Sequence, residues 1–370
     1  MNREDEIMSF IRSNPYISQQ ELAEKVGISR PAVANYITRL IKKGLITGRA
    51  YVIQDEQPIV CIGGMNLDRK MHSKEELQLH TSNPVVSSKS MGGVARNISE
   101  NIAKLSVPVS LISTVGQDSD GDWLLEETSL TGVNVAHTFR FVDQTTGTYT
   151  AILDYDGEMV ISYADMDIYD SLTPKHIDDK WGIISNSKAI VCDTNINEEC
   201  LSYIIERSKE EERCLIIDPV SVIKARKLPT DMTGVYAILP NQDEAAEMAQ
   251  MSVESNEDIV KAAAVIRSRG VKNVIITIGK NGVYYDGEEG ACFLPSITTN
   301  VKDVTGAGDS FVAGVLYGMH HHQSIKKSCL YGMLMAHMTL QTDKTVSTSI
   351  SKNTLETLLE EHYDETIYDI

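Results

Sequence analysis

From residue 57 onward, short continuous apolar runs alternate with polar turns and with stretches of helical periodicity. Residues 58–62, 189–192, 214–217 and 274–278 are four such runs, each long enough for a strand and each followed by Gly or polar residues. Strands without alternating polar positions are typical of parallel sheets, because helices cover both of their faces. The pattern therefore predicts an α/β domain in which a parallel sheet lies between two helical layers.

The segment between the first two runs has a different pattern. Residues 69–90 are polar and irregular. Residues 148–153 and 159–163 alternate apolar and polar positions around Asp156-Gly157, which is typical of a β-hairpin. We therefore expect a smaller β structure beside the main sheet.

Residues 1–55 have helical periodicity and form a separate unit. A capping box begins at Ser18 and opens a short second helix that ends at Gly27, and Ser29 caps a third helix. Helix, short helix, glycine turn and longer helix are typical of the helix-turn-helix, and residues 44–53 predict the two strands of a wing. The apolar positions of the first and third helices are Ile7, Phe10, Ile11, Val33, Ile37, Leu40 and Ile41.

Composition agrees with one large α/β domain and a small additional one. The chain has 370 residues, and its hydrophobic content of 42% is ample for a sizeable core. No run reaches the eighteen or so apolar residues of a membrane span, and the acidic first residues are unlike a signal peptide. Six cysteines lie far apart without a C-x-x-C pair, so we expect reduced thiols and no zinc site. The sequence predicts a cytoplasmic protein that makes no membrane contact.

Charge is unevenly distributed between residues 1–55 and the rest of the chain. Residues 1–55 contain eight Lys and Arg against six Asp and Glu, a net charge of +2, whereas the remainder has 26 basic and 46 acidic residues, a net charge of −20. A weakly basic helix-turn-helix suits contact with DNA phosphates and grooves, although such units also serve as dimerisation or docking domains. The residues expected to contact DNA are Arg30, Asn35 and Arg39 in the third helix and Arg49 in the wing.

The strongest candidates for catalytic residues lie in residues 301–314, VKDVTGAGDSFVAG. Gly306 and Gly308 lack a Cβ, so the turn can direct backbone N–H groups onto one anion, and the helix that follows adds the positive end of its dipole. Asp309 lies at the mouth of this turn, where a carboxylate can take a proton from a hydroxyl that attacks phosphorus. A capped turn without chemistry is the alternative, because Asp and Gly are common at helix starts.

Two signatures resemble those of the ribokinase (PfkB-type) carbohydrate and nucleoside kinases. Residues 303–314 resemble the C-terminal signature, and residues 91–97, MGGVARN, resemble the N-terminal one. Within that family the sequence is most similar to pseudouridine kinases, and residues 1–55 resemble winged-helix DNA-binding domains. The resemblance implies a three-layer αβα ribokinase-like domain over residues 56–370, with a small β-lid that includes residues 69–90, preceded by a small winged helix-turn-helix domain.

The resemblance also implies a catalytic site. Asp309 would be the base, and the amides of Gly306, Ala307 and Gly308 would form the anion pocket. Asn66 and Asp68 would bind substrate hydroxyls, although a turn-forming Asn and a surface Asp are the alternative. The other residues expected to bind substrate are Gly92, Gly93, Asn97, Asp165 and Asp167, of which the last two are equally well explained as solvated loop aspartates.

The nucleotide site is expected in the second half. In this family the N-x-x-E pattern of Asn241 and Glu244 lies near the Mg²⁺-bound triphosphate, which Glu244 would contact through water, while helix capping explains the same two residues. Asp303 matches the position of a monovalent cation in relatives. Residues 341–346 depart from the ribokinase pattern, which weakens the expectation of K⁺, and match the Thr-Val form of pseudouridine kinases. The ATP-binding residues would include Asn241, Glu244, Thr277, Gly279, Gly282, Thr305, Gly306 and Gly308.

These features predict an ATP-dependent, Mg²⁺-assisted kinase that phosphorylates the 5′-hydroxyl of pseudouridine. Two alternatives remain: a kinase of the same family that acts on another nucleoside or a sugar, and a transcriptional regulator that uses the kinase fold as a nucleoside sensor. An intact Asp309 pocket argues against a sensor, which needs no base. We also expect a homodimer.

Overall fold

The computed structural model describes residues 2–48 and 57–363. The apolar runs form an eight-stranded sheet in the order β14-β13-β12-β11-β10-β9-β1-β4, in which β4, β1, β9, β10, β11 and β12 are parallel and β13 and β14 are antiparallel additions. The bounds are β1 Ile59–Ile62, β4 Val109–Ile112, β9 Ala189–Asp193, β10 Leu215–Asp218, β11 Val235–Ile238, β12 Asn273–Thr277, β13 Val283–Gly287 and β14 Gly290–Leu294.

Two hydrophobic layers cover the sheet, as the continuous apolar strands predict. In β1, Ile59 and Cys61 pack into one layer and Val60 and Ile62 into the other. The first layer uses α4 (Val94–Lys104), α5 (Ser119–Leu130), α11 (Ala307–His320), α12 (Ile325–Leu340) and α13 (Lys352–His362). The second uses α6 (Pro174–Ile184), α7 (Glu198–Glu210), α8 (Val222–Ala225), α9 (Gln242–Ala249) and α10 (Asn256–Ser268).

A separate four-stranded sheet forms the lid, in the order β3-β2-β7-β8. Its strands are β2 Asn66–Ser73, β3 Val85–Gly92, β7 Thr148–Leu153 and β8 Met159–Asp165, and the predicted hairpin joins β7 to β8. The prediction that residues 69–90 are irregular is wrong, because β2 and β3 pair over eight residues. The side chains of β3 are largely exposed, so the strand shows no apolar alternation in the sequence. A short pair of strands, β5 Thr114–Gly116 and β6 Phe139–Phe141, lies apart from both sheets.

The N-terminal unit is a three-helix domain with its own core. The helices are α1 Arg3–Ser13, α2 Gln19–Val26 and α3 Arg30–Lys42. The capping box at Ser18 and the left-handed glycine cap at Gly27 are both present, as expected. Ile41, predicted on the apolar face of α3, is instead exposed, because Leu40 occupies the buried position at that turn. Residues 49–53 of the predicted wing, including Arg49, lie outside the described residues.

The end of α3 rests on α6 of the α/β domain. A Cβ at Gly182 in α6 would lie 2.3 Å from the Lys42 carbonyl oxygen, and Gly44 lies against Ile183. The lack of a side chain at Gly182 therefore allows the two backbones to meet. The exposed polar side of α3 lies away from its buried residues Val33, Ile37 and Leu40.

Two sequence expectations concern the whole chain. All six cysteines are free thiols, and four of them are buried. Within the described ranges, no helix is both long enough and apolar enough to span a bilayer.

Candidate functional site

The two signatures meet at one hydrogen bond. Asn97, in the first turn of α4, donates from Nδ2 to Oδ2 of Asp309, in the first turn of α11, over 2.7 Å. The residues are 212 positions apart in the chain, and they meet because α4 packs against α11. The predicted base and the predicted substrate asparagine are therefore direct neighbours.

The turn before α11 has the geometry that its glycines suggest. Gly306 has φ of 80°, and a Cβ there would lie 2.0 Å from the Thr345 carbonyl oxygen, so only glycine fits. At Gly308 a Cβ would meet nothing within 4 Å, so this side of the turn is open. Ser310 N–H makes the first helical hydrogen bond, to the Gly306 carbonyl.

One of the amides predicted for the anion pocket is occupied within the protein. Ala307 N–H donates to the Val304 carbonyl over 3.3 Å, so this amide is already in use. The N–H groups of Gly308 and Asp309 have no acceptor within the part of the chain that the structure describes. Unpaired amides at a helix start, together with the helix dipole, form a site suited to an anion.

Burial dominates the electrostatics of Asp309. Removal of the carboxylate from water raises its pKa to about 7, with further contributions from the charges of Asp193 and Asp68. The hydrogen bond from Asn97 and the charge of Arg96 act in the opposite direction. A pKa near neutrality suits a general base, because the group is substantially ionised at pH 7 and still accepts a proton readily.

The predicted sugar-binding residues begin the lid. Asn66 Nδ2 donates to Asp68 Oδ1 over 2.6 Å, and burial raises the pKa of Asp68. The glycines opposite are closely packed against protein rather than open to a ligand: a Cβ at Gly92 would lie 2.4 Å from Asp68 Oδ2, and one at Gly93 would lie 2.4 Å from the Gly64 carbonyl oxygen. These close contacts explain why both positions are glycine, and the substrate contacts expected of Gly92 and Gly93 stay predictions.

The amide of Asn97 is largely used within the protein. Its Nδ2 donates to Asp309 and its Oδ1 accepts from Arg96 Nη1 over 2.8 Å. One amide hydrogen remains for a substrate hydroxyl, and that contact stays a prediction.

The two predicted aspartates after the lid lie in different places. Asp165 ends β8, paired with Thr148, and its backbone lies beside Gly147, which also lies against Asn66. Asp167 begins a 3₁₀ turn, Asp167–Ser171, and its side chain is exposed. The backbone of Asp165 therefore lies near Asn66, one of the predicted sugar-binding residues, and the roles of both aspartates stay predictions.

Asn241 and Glu244 form the capping box that the sequence allows. Asn241 N–H and Nδ2 donate to the two Glu244 carboxylate oxygens over 2.9 and 2.8 Å, and Glu244 N–H donates back to Asn241 Oδ1. Thr277 lies beside this cap, because its N–H donates to the Pro240 carbonyl and it bridges to Asn241. The buried Glu244 therefore faces the end of β12, where the nucleotide was expected.

The remaining predicted nucleotide residues lie in two turns. Gly279 and Gly282 flank the 3₁₀ turn Gly279–Asn281 between β12 and β13, and the surroundings of Gly279 are open. Asp303 Oδ1 accepts from both the N–H and the hydroxyl of Thr305, and these bonds lower the pKa of Asp303. The carboxylate thus stabilises its own loop, and the monovalent cation stays a prediction.

The sequence did not reveal three acidic or basic residues of the site. Asp193 is fully buried and accepts from the N–H groups of Gly64, Ala95 and Asn195, which joins two loops to the start of α4. Asp218 ends β10. Burial raises its pKa, and the negative charges of Asp309 and Glu244 raise that pKa further. Arg96 is buried beside Asn97. The available signal was that each aspartate ends an apolar strand, where open α/β sheets place ligand groups.

Comparisons with known proteins agree with this geometry. Residues 56–353 match the pfkB family of carbohydrate kinases, and residues 6–47 match a winged helix-turn-helix DNA-binding family. In Escherichia coli K12, the uncharacterized sugar kinase YeiI is 31% identical over 338 residues, which cover 90% of this chain and 92% of the relative. The pseudouridine kinase of the same organism is 32% identical over 308 residues, which cover 81% of this chain and 97% of the relative.

Ribokinase of Arabidopsis thaliana, solved with ribose and ATP, has the same fold. Its TM-score is 0.74 at 20% identity, and the match covers 84% of this chain and 100% of that one. The family match extends over most of the chain and includes both signatures. This chain therefore belongs to the pfkB family of carbohydrate kinases, with the ribokinase-like α/β fold and an N-terminal winged helix-turn-helix domain.

Proposed function

We propose that this kinase transfers the γ-phosphoryl group of ATP to the 5′-hydroxyl of pseudouridine. The observation that carries the proposal is the Asn97–Asp309 hydrogen bond, which holds a carboxylate with a pKa of about 7 beside two unpaired amides at the start of α11. The choice of acceptor is supported by the pseudouridine kinase of Escherichia coli, which this chain matches over 97% of its length.

In the proposed reaction, the substrate oxygen forms a bond to the γ-phosphorus while the bond from phosphorus to the ADP oxygen breaks. Asp309 takes the hydroxyl proton, and ADP leaves. The amides of Gly308 and Asp309 donate to the oxygens of the transferred group, where charge accumulates in the transition state. Asn66 and Asp68 bind and orient the sugar.

The residues near the expected triphosphate fit a Mg²⁺ ion held through water. Glu244 accepts two hydrogen bonds from Asn241, one on each oxygen, and each oxygen retains a lone pair for water. Mg²⁺ commonly keeps several waters and uses one or two carboxylates together with phosphates. When bound, the ion neutralises charge on the phosphates. Among the described residues, no three His, Cys, Asp or Glu side chains form a metal-binding group.

The acceptor is tested by a coupled assay of ADP release with pseudouridine, uridine and ribose. We expect pseudouridine to give the highest kcat/KM. Because YeiI, named as a sugar kinase, is nearly as similar as the pseudouridine kinase, a higher value for ribose would favour a sugar kinase. An absence of turnover with any acceptor, combined with nucleoside-dependent DNA binding, would instead favour a transcriptional regulator.

Replacement of Asp309 distinguishes a role in the chemical step from a role in substrate binding. We expect Asp309→Asn to lower kcat by about 10²–10⁴-fold, the usual contribution of a positioned base, with a much smaller change in nucleoside affinity. The measurements are the steady-state rate and the dissociation constant by calorimetry. A variant that retains most of the wild-type kcat would show that another group accepts the proton.

The raised pKa of Asp309 also predicts a pH-dependent stability. At pH values between the usual aspartate pKa and about 7, the folded state binds more protons at Asp309 than the unfolded state does. The free energy of unfolding that Asp309 contributes therefore falls as the pH rises through this range to the folded pKa of about 7. We expect Asp309→Asn to have a higher Tm than the wild type at pH 8, and we expect that difference to vanish near pH 4. Asp179→Asn, an exposed control in α6, should show no such dependence. Equal Tm differences at both pH values would contradict a buried, proton-binding Asp309.

We also propose that the N-terminal domain binds DNA through α3. Arg30, Asn35 and Arg39 are all exposed on this helix, and the Arg39 guanidinium lies over the Tyr36 ring, 4.4 Å from its centroid. The sequence match to a winged helix-turn-helix DNA-binding family supports the same role. The predicted contact from Arg49 belongs to this proposal.

The DNA proposal is tested by footprinting on the DNA upstream of the protein's own coding sequence, with and without nucleoside. We expect Arg39→Ala to weaken binding and to reduce the dependence of log K on log salt by about one, because one phosphate contact is lost. Lys261→Ala, an exposed charge in α10, is the matched control and should bind as the wild type does. Identical salt dependence in Arg39→Ala and the wild type would remove α3 as the DNA-reading helix.

A further inference from the structure

Arg96 is a buried cation to which the reaction assigns no role. Its side chain is 2% exposed, in the first turn of α4. Nη2 donates to Glu100 and to the sulfur of Met91, while Nη1 donates to Asn97 Oδ1 over 2.8 Å. Its Nε is buried without a hydrogen-bond partner within the described ranges. A buried guanidinium with an unpaired donor lowers stability, so its position requires an explanation.

Arg96 determines which way the Asn97 amide faces. A guanidinium has only donors, so the group that it contacts must be the amide oxygen, and the amide NH₂ must then face Asp309. An NH₂ group stabilises a carboxylate by donating to it, whereas it cannot accept the proton of a carboxylic acid. In the opposite orientation, the amide oxygen would accept that proton and stabilise the protonated form.

The charges around Asp309 are otherwise unfavourable to a carboxylate. Asp68 from β2 and Asp193 from β9 raise its pKa, and it interacts with Asp218 at the end of β10. The positive charge of Arg96, from α4, acts in the opposite direction and lowers it. The same guanidinium therefore orients the amide and provides the compensating charge.

We propose that Arg96 is a positioning residue for proton transfer, because it holds the Asn97 amide in the orientation that donates to Asp309 and so keeps the base ionised. The inference rests on the proposed role of Asp309 as the base. It adds a residue that acts through Asn97 and has no contact with the reacting atoms.

The test replaces Arg96 without leaving its partner unpaired. Arg96→Met alone would bury the Glu100 carboxylate beside only Lys104, whose Nζ lies 3.8 Å away, so the informative variant is Arg96→Met/Glu100→Gln. Glu100→Gln alone is the first control, because it keeps the contact between Arg96 and Asn97. Arg213→Met is the second control. Arg213 is a half-buried arginine just before the amino end of β10, whereas the candidate site lies at the carboxyl ends of the parallel strands, and it donates to the Ser187 carbonyl.

The measurement is kcat/KM for the nucleoside between pH 5.5 and 9.5, by ADP release. In the double variant, we expect the acidic limb of the curve of kcat/KM against pH to shift to higher pH by about one unit. At pH 6 its kcat/KM is then about tenfold below that of the wild type, and at pH 9 most of this difference disappears. The KM for ATP should change little. Both controls should keep the wild-type limb.

Three outcomes have distinct meanings. If kcat/KM of the double variant falls by the same factor at every pH, or does not fall, the proposed role of Arg96 is wrong. A purely structural arginine would not shift the pH profile of kcat/KM. If circular dichroism shows that the double variant does not fold, Arg96→Lys carries the same test: it retains the charge beside Glu100 but loses the planar pair of donors, and an unshifted limb contradicts the proposal. An absence of turnover by the wild type with every acceptor contradicts the proposed function itself.

Discussion

The hydrogen bond between the Asn97 amide and the Asp309 carboxylate is the contact on which the rest of the site depends. It joins the first turn of α4 to the first turn of α11 and thus brings the two distant signatures to one point. Both helices start above the carboxyl edge of the parallel strands, where an open α/β sheet leaves space for ligands. The contact holds the Asp309 carboxylate against α4, while the unpaired N–H groups of Gly308 and Asp309 lie in the first turn of α11.

Two aspartates at this edge show how surroundings separate structural from chemical roles. Asp193 accepts three backbone N–H groups, so its charge is used to hold the Gly64 loop, the Asn195 loop and the start of α4 together. Asp309 has one amide donor, from Asn97. Burial raises the pKa of both carboxyls, but of the two only Asp309 has a carboxylate oxygen, Oδ1, that accepts no hydrogen bond from the described residues. The different sets of donors therefore suit Asp193 to holding the loops together and leave Asp309 suited to accepting a proton.

The sequence predicts the strands and the N-terminal helices well, because continuous apolar runs, Ser18 and Gly27 act through local physics. It also identifies Asp309 and Asn97, which lie in compact signatures. The lid strand β3 escapes prediction because most of its side chains are exposed, so its sequence shows no apolar alternation, although its backbone pairs with β2 over eight residues. Arg96 escapes for another reason: a charged residue in a helix is usually solvated, and its burial depends on the packing of α4 against α11, which no local pattern reveals. The use of the Ala307 amide by Val304 likewise follows from the loop geometry rather than from composition.

The close fit of Gly306 beneath Thr345 has a consequence for the segment 341–346. A Cβ at Gly306 would lie 2.0 Å from the carbonyl oxygen of Thr345 and 2.9 Å from its Cγ2, so the backbone and a side chain of this segment together leave no space there. A residue with a side chain at position 306 would push the segment away from the turn. An inserted or deleted residue within 341–346 would likewise shift the Thr345 carbonyl relative to a turn that lies more than thirty residues earlier in the chain.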